Sequence, residues 1–212
     1  MKIHQIINNF HTSNTYILEL TDSKVLLIDV GDFDQIEDWL KTNNKEVHSV
    51  ILTHEHSDHC HGLNELYDLL KFDLYCSKMC AMNIANKRQN FSLYIDELED
   101  FEISVSDTNI IQDMDSVNIL GYTFKFIVTP GHSPGSTCIV IKDKIFTGDT
   151  ILNGVSTPLN LPHSNRNDYY KSIEKLKSII EVGMTIFPGH DIPFRFRSFE
   201  ELAIAKKGNT NV

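Results

Sequence analysis

The run Thr53-His54-Glu55-His56-Ser57-Asp58-His59 follows directly on the apolar stretch Val50-Ile51-Leu52. It constrains what this chain can fold into more than any other feature. Val47–Thr53 reads as a buried strand that delivers the chain to three imidazoles and the Asp58 carboxylate within a few positions. Imidazole and carboxylate together suit zinc and its first-row neighbours. The run is read as a metal-binding loop at a strand end.

Three later segments repeat the design. Thr129-Pro130-Gly131-His132-Ser133-Pro134-Gly135, Phe146-Thr147-Gly148-Asp149-Thr150 and Phe187-Pro188-Gly189-His190-Asp191 each close an apolar run. In each, a strand stops, a glycine permits an unusual turn, and a metal-type side chain follows. One such site alone would read as an ordinary loop, whereas four in one chain point to a shared centre.

The rest of the chain supplies the frame. Lys2–Ile7, Thr15–Leu20 and Lys24–Asp29 read as strands, with a turn at Thr21-Asp22-Ser23. Ile36, Trp39 and Leu40, and then Leu63, Leu66, Tyr67 and Leu70, fall at helical spacing. Residues 86–115 read as helix and loop, either a lid over the site or a surface insertion. Strands follow at Val117–Leu120, Tyr122–Thr129, Thr137–Ile141, Lys144–Phe146 and Thr185–Phe187, with helices at Asn167–Ile180 and near Phe199–Ala205. Two successive strand-then-helix halves suggest two sheets packed face to face, with helices outside.

Composition narrows the partners. A length of 212 residues suits a single domain over 1–212. A formal charge of −10 argues against nucleic acid, which needs a clustered basic face. The late basic residues Arg195, Arg197, Lys206 and Lys207 are interrupted by Glu200 and Glu201, and read as a solvated helix face or a small anion contact. The first residues lack a secretory pattern, and no apolar stretch approaches a membrane span. Cys60, Cys76, Cys80 and Cys138 lack paired metal spacing, so reduced thiols and a cytoplasmic location are expected. Cys60 lies in the metal loop, but imidazoles and carboxylates already meet the need for ligands.

The T-H-x-H-x-D-H run, the T-P-G-H-S-P-G-S loop, the G-D-T turn and the final P-G-H resemble the metallo-β-lactamase superfamily, closest to its glyoxalase II (hydroxyacylglutathione hydrolase) branch. The resemblance spans residues 14 to 191. It implies an α/β fold, an αββα sandwich of two mixed β-sheets flanked by helices, with a dinuclear metal site at one rim. His54, His56 and His132 would hold one ion, Asp58, His59 and His190 the other, and Asp149 would bridge them. Asp29 matches a position that supports the site from behind the ligands; His61, two positions after His59, is read from its place as such a support or as helix surface rather than a ligand. Two divalent ions are implied, zinc first, although iron and manganese also accept these ligands. In an extended segment His54 and His56 point the same way, while Asp58 and His59 lie past a bend, which agrees with this division. Two carboxylates against two dications leave the site net positive and lower the pKa of a bridging water. The hydroxide is then the nucleophile, and Asp58 is the catalytic residue that orients it.

The expected activity is hydrolysis of a carbonyl ester or thioester on a small-molecule substrate. His163, Asn165 and Arg166, in the loop after Asp149, are candidate substrate contacts. This loop departs from the glyoxalase II pattern. The chain also stops 22 residues after His190, without the helical extension whose basic residues serve glutathione in that branch. Alternatives are a persulfide dioxygenase with a single iron, a lactonase, or a metal-binding member without catalysis. His4, His11 and His48 read as ordinary polar residues, Tyr16 and Cys138 as core.

Overall fold

Three antiparallel strands open the chain, β1 (Ile3–Ile7), β2 (Asn14–Glu19) and β3 (Lys24–Ile28), in a computed structural model that describes residues 1–103 and 108–204. Helix α1 (Phe33–Asn43) crosses over to β4 (Glu46–Ile51), which lies parallel to β3. The single turn α2 (Ser57–Cys60) and helix α3 (Leu63–Leu69) lead to β5 (Asp73–Ser77), and α4 (Lys78–Ile84) leads on towards β6 (Thr108–Ile111). These strands form one six-stranded mixed sheet in the order β1 to β6. A second begins with β7 (Ser116–Ile119), β8 (Tyr122–Val128), β9 (Thr137–Ile141) and β10 (Lys144–Gly148), all antiparallel. Helix α5 (Arg166–Lys177) then returns the chain to β11 (Thr185–Pro188), parallel to β10, and β12 (Phe194–Arg195) closes the edge.

Side-chain alternation builds three cores from these layers. Along β3, Val25 and Leu27 face Ile36, Leu40, Leu63 and Leu66 of the helices, whereas Leu26 and Ile28 face the other sheet. There they meet Phe124, Phe126, Ile139 and Phe146, which fill the space between the sheets. Outside the second sheet, Ile127, Cys138, Ile145 and Ile186 pack on Tyr169, Ile173 and Leu176 of α5. The order of layers is helix, sheet, sheet, helix, as expected. No helix among the described residues is long and apolar enough to cross a membrane.

Two expectations change. Residues 86–115 are not only helix and loop: Thr108–Ile111 forms β6, paired in parallel with β5, and a short 3-10 turn spans Ser92–Tyr94. The last helix near Phe199–Ala205 does not form over 199–204, and Ala205, Lys206 and Lys207 lie outside the described residues. Phe199, Leu202 and Ile204 instead pack against the α5 core from irregular backbone. Their spacing records that burial rather than a helical period.

Candidate metal centre

The site forms where both sheets end. Thr53 to His59 follow β4, His132 lies in the β8–β9 loop, and Asp149 and His190 follow β10 and β11. Backbone bonds join the two rims: Thr137 N–H donates to Thr53 C=O (2.8 Å), and Asn14 N–H to Gly189 C=O (2.7 Å). Glycine is required at two turns. Gly148 has φ +46°, and a Cβ there would lie 2.6 Å from Thr53 Oγ1. A Cβ on Gly189 would fall 2.1 Å from Asp149 Oδ1.

His54, His56 and His132 place one ligand atom each within 4.8 Å of one another, as do His54, His59 and Asp149, and again Asp58, His59 and His190. The Asp149 carboxylate faces both sides, with Oδ1 3.5 Å from His59 Nε2 and Oδ2 3.5 Å from the Nε2 atoms of His132 and His190. Asp58 Oδ2 is 3.3 Å from His190 Nε2. The buried atoms His54 Nε2, His59 Nε2 and Asp149 Oδ1 have no hydrogen-bond partner. Leaving such groups unpaired in a protein interior is costly, and a divalent cation resolves it. The donor set therefore fits a metal.

The outer nitrogens are already committed. His59 Nδ1 is 2.9 Å from Asp29 Oδ2, His132 Nδ1 is 3.1 Å from Pro158 C=O, and His54 Nδ1 is 3.0 Å from Thr53 Oγ1. Such partners fix the tautomer and aim the other nitrogen inward. Asp29 adopts the left-handed conformation (φ 60°) and also accepts both Thr53 N–H and Oγ1–H at 2.7 Å.

Burial holds the His54 imidazole well below its ordinary pKa, and burial together with His132 takes His56 down to about 3. Burial would lower His59 and His190 too, but surrounding carboxylates outweigh it. Asp58 and Asp149 raise His59 to about 9, and Asp149 and Asp58 raise His190 to about 11. Asp58 moves the opposite way: burial raises it, yet His59 and His190 bring it down to about 2. The field on this side favours positive charge.

Other residues fall into place around this cluster. The His61 ring turns to Asp32 (Nε2 to Oδ1, 3.2 Å) and meets Phe10 edge-on, beside a separate small cavity. Cys60 donates to the His56 carbonyl (3.3 Å), and burial pushes its thiol well up. Tyr16 and Cys138 are buried in the core. Asn165 spends its side chain capping α5, accepting from Asn167 N–H (2.9 Å) and Asp168 N–H (3.1 Å). Arg166 is exposed at the helix start, and neither it, Asn165 nor His163 lines the cavity over the cluster. His163 stands at its edge in left-handed backbone, its ring 6.4 Å from Phe91.

That cavity measures about 610 Å³ and opens over Asp58, His132, Asp149 and His190. His11, read from sequence as an ordinary polar residue, is part of its lining, as is Phe91, stacked 4.6 Å from His56. Glu55 was also missed. It is 1% exposed and accepts from Asn83 Nδ2 (2.8 Å), Ser133 Oγ (2.9 Å) and Gly135 N–H (3.2 Å), so it clamps the His132 loop to the His54 loop. Strand alternation carries the signal: if His54 and His56 point one way, Glu55 points the other.

The sequence model for the metallo-beta-lactamase superfamily matches residues 8–190. "Hydroxyacylglutathione hydrolase 1" of Vibrio vulnificus is 30% identical over 167 residues, 78% of this chain and 58% of that protein. "Probable polyketide biosynthesis zinc-dependent hydrolase BaeB" of Bacillus velezensis is 25% identical over 193 residues, 89% of this chain and 78% of that protein. Among solved structures, the BLEG-1 B3 metallo-beta-lactamase superposes with a TM-score of 0.83 at 23% identity, covering 92% of this chain and 94% of that one. A di-iron-bound form of TTHA1623 gives 0.78 at 19% identity, covering 91% and 94%. At these identities the structural likeness is one of fold.

Proposed function

Since the chain belongs to the metallo-β-lactamase superfamily, we propose that it is a metal-dependent hydrolase of carbonyl esters or thioesters. One observation carries this reading: buried, unpartnered ligand atoms from both sheets converge at the floor of a substrate-sized cavity. Two relatives support it, both named as hydrolases, and a hydroxyacylglutathione is chemically a thioester.

His54, His56 and His132 would hold one divalent ion and Asp58, His59 and His190 a second, with Asp149 facing both. Such ions supply Lewis acidity, polarising a carbonyl oxygen and lowering the pKa of water toward neutrality. The protein's own part is orientation. Asp58 lines the cavity, and its carboxylate stays ionised, ready to accept a hydrogen bond from the attacking water. Asp29 and the Pro158 carbonyl keep the rings of His59 and His132 from turning. The apolar side chains around the cluster lower the local polarity, which strengthens charge interactions there relative to open water.

A persulfide dioxygenase would need only one iron. The complete Asp58–His59–His190 group favours two ions instead. Metal content should be measured alongside turnover of thioesters, esters and lactones. The expected result is two ions per chain, with ester or thioester turnover that chelation removes and zinc restores. One iron per chain with oxygen consumption would overturn the proposal.

A further inference from the structure

Two largely apolar walls flank the cavity and are tied to the fold around the cluster, with His11 and Thr12 adding polar lining beside them. One wall is Phe91, Tyr94 and Ile95, and the other is Pro158, Leu161 and Pro162. The first is tied to the metal loop, because Ser57 N–H donates to the Asn90 carbonyl at 2.8 Å. Asn90 is fully buried; its side chain donates to the Ile84 and Phe101 carbonyls and accepts from Ser92 N–H. These bonds hold Phe91 in the left-handed conformation (φ 69°), a costly state for an aromatic residue. The second wall is tied to the opposite ligands. Pro158 C=O meets His132 Nδ1, Ser164 Oγ donates to His132 C=O (2.8 Å), and Thr157 Oγ1 donates to Asp149 C=O (2.9 Å).

The geometry points to an acyl-group specificity, and this rests on the hydrolase reading above. The substrate's carbonyl sits at the cluster, while an apolar, uncharged acyl chain of several carbons runs outward between Phe91–Ile95 and Pro158–Pro162. Tyr94, 60% exposed, stands where that chain meets solvent. An acyl group ending in a carboxylate would be desolvated against rings and prolines, and neither wall offers it a cationic partner, the Tyr94 hydroxyl being their one side-chain polar group.

Two arms test this on the metal-loaded protein. In the first, kcat/KM is measured for acetyl, butyryl, hexanoyl and octanoyl thioesters of one thiol, and for the analogue of the octanoyl compound bearing a terminal carboxylate. Each added methylene is expected to raise kcat/KM about threefold until the cavity fills, and the terminal carboxylate to lower it at least about tenfold. In Leu161→Arg the ratio of octanoyl to carboxylate-ended substrate should fall by about tenfold or more. In the second arm, calorimetry compares octanoate with suberate, which adds only a second carboxylate at the far end. Octanoate should bind more tightly, and Tyr94→Ala should narrow the gap. Turnover with no preference, or with a preference for acetyl or carboxylate-ended substrates, overturns the specificity and leaves the hydrolase reading intact. Absence of any ester or thioester turnover defeats the hydrolase reading instead. The calorimetric arm then still decides the apolar preference, and equal or tighter binding of suberate overturns it.

Discussion

Glu55 and Asp58 sit three positions apart and divide the labour of two carboxylates. Glu55 faces away from the cluster and satisfies three buried donors, from Asn83, Ser133 and Gly135. Glu55→Ala strands those donors, so a loss of about 2–4 kcal/mol in urea unfolding is expected. Metal content should fall as well, because His132 precedes the clamped Ser133, and Glu55→Gln should recover part of both. Asp58 faces the cavity, and its removal should act on turnover. With metal content confirmed as unchanged, Asp58→Asn is expected to lower kcat by about 10²–10⁴-fold. An unchanged kcat would remove Asp58 from its catalytic assignment. The candidate ligands were legible because His54, His56, Asp58 and His59 crowd into one run, while His132, Asp149 and His190 each follow a glycine. Phe91 and Asn90 carried no such mark, since an aromatic and an amide in an irregular segment resemble any loop.

At the scale of elements, the junction of β1, β2 and β4 is held by charge. Glu19 on β2 accepts from His4 of β1 (2.6 Å) and from Lys45, just before β4 (2.8 Å). Chiefly the Lys45 bond, then that of His4, draws the Glu19 carboxyl from 4.5 down to about 2. A depressed acid stabilises the fold above its ordinary pKa, and that contribution fades as pH falls from 4.5 toward about 2. Lys45→Met should therefore cost about 1 kcal/mol near neutrality, the scale of a partly exposed pair. Its deficit relative to the parent protein should shrink across that acid window, read from denaturation midpoints; a constant deficit would show that packing, not charge, is lost. Strands ending at the candidate ligands were readable, because β8, β10 and β11 are apolar runs closed at or shortly before a glycine and β4 runs straight into the histidine cluster. Strand β6 was not: Thr108–Ile111 is four residues long, lies beside Asp113 and Asp115 in sequence, and draws its order from pairing with β5. The reading of a helix near Phe199–Ala205 failed over 199–204 for the converse reason, since the apolar contacts there serve a neighbouring core.

Across the whole molecule, His54, His56, Asp58 and His59 come from one sheet, and His132, Asp149 and His190 from the other. Metal binding then rewards only the native placement of the two sheets, which couples it to folding. Chelation is expected to lower Tm by about 5–10 °C, and stoichiometric zinc to restore it in the same calorimeter. An unchanged Tm would mean that the apolar contacts between the sheets hold the rims in place unaided. The cavity walls meet this framework at few points, notably the Asn90 carbonyl on Ser57 and the Pro158 carbonyl on His132. Recognition and reaction can therefore evolve at different rates. A segment exchanged between Ile84 and Ile103 that still presents a carbonyl to Ser57 and a ring to His56 would leave the candidate ligands where they stand and rebuild the cavity mouth above them.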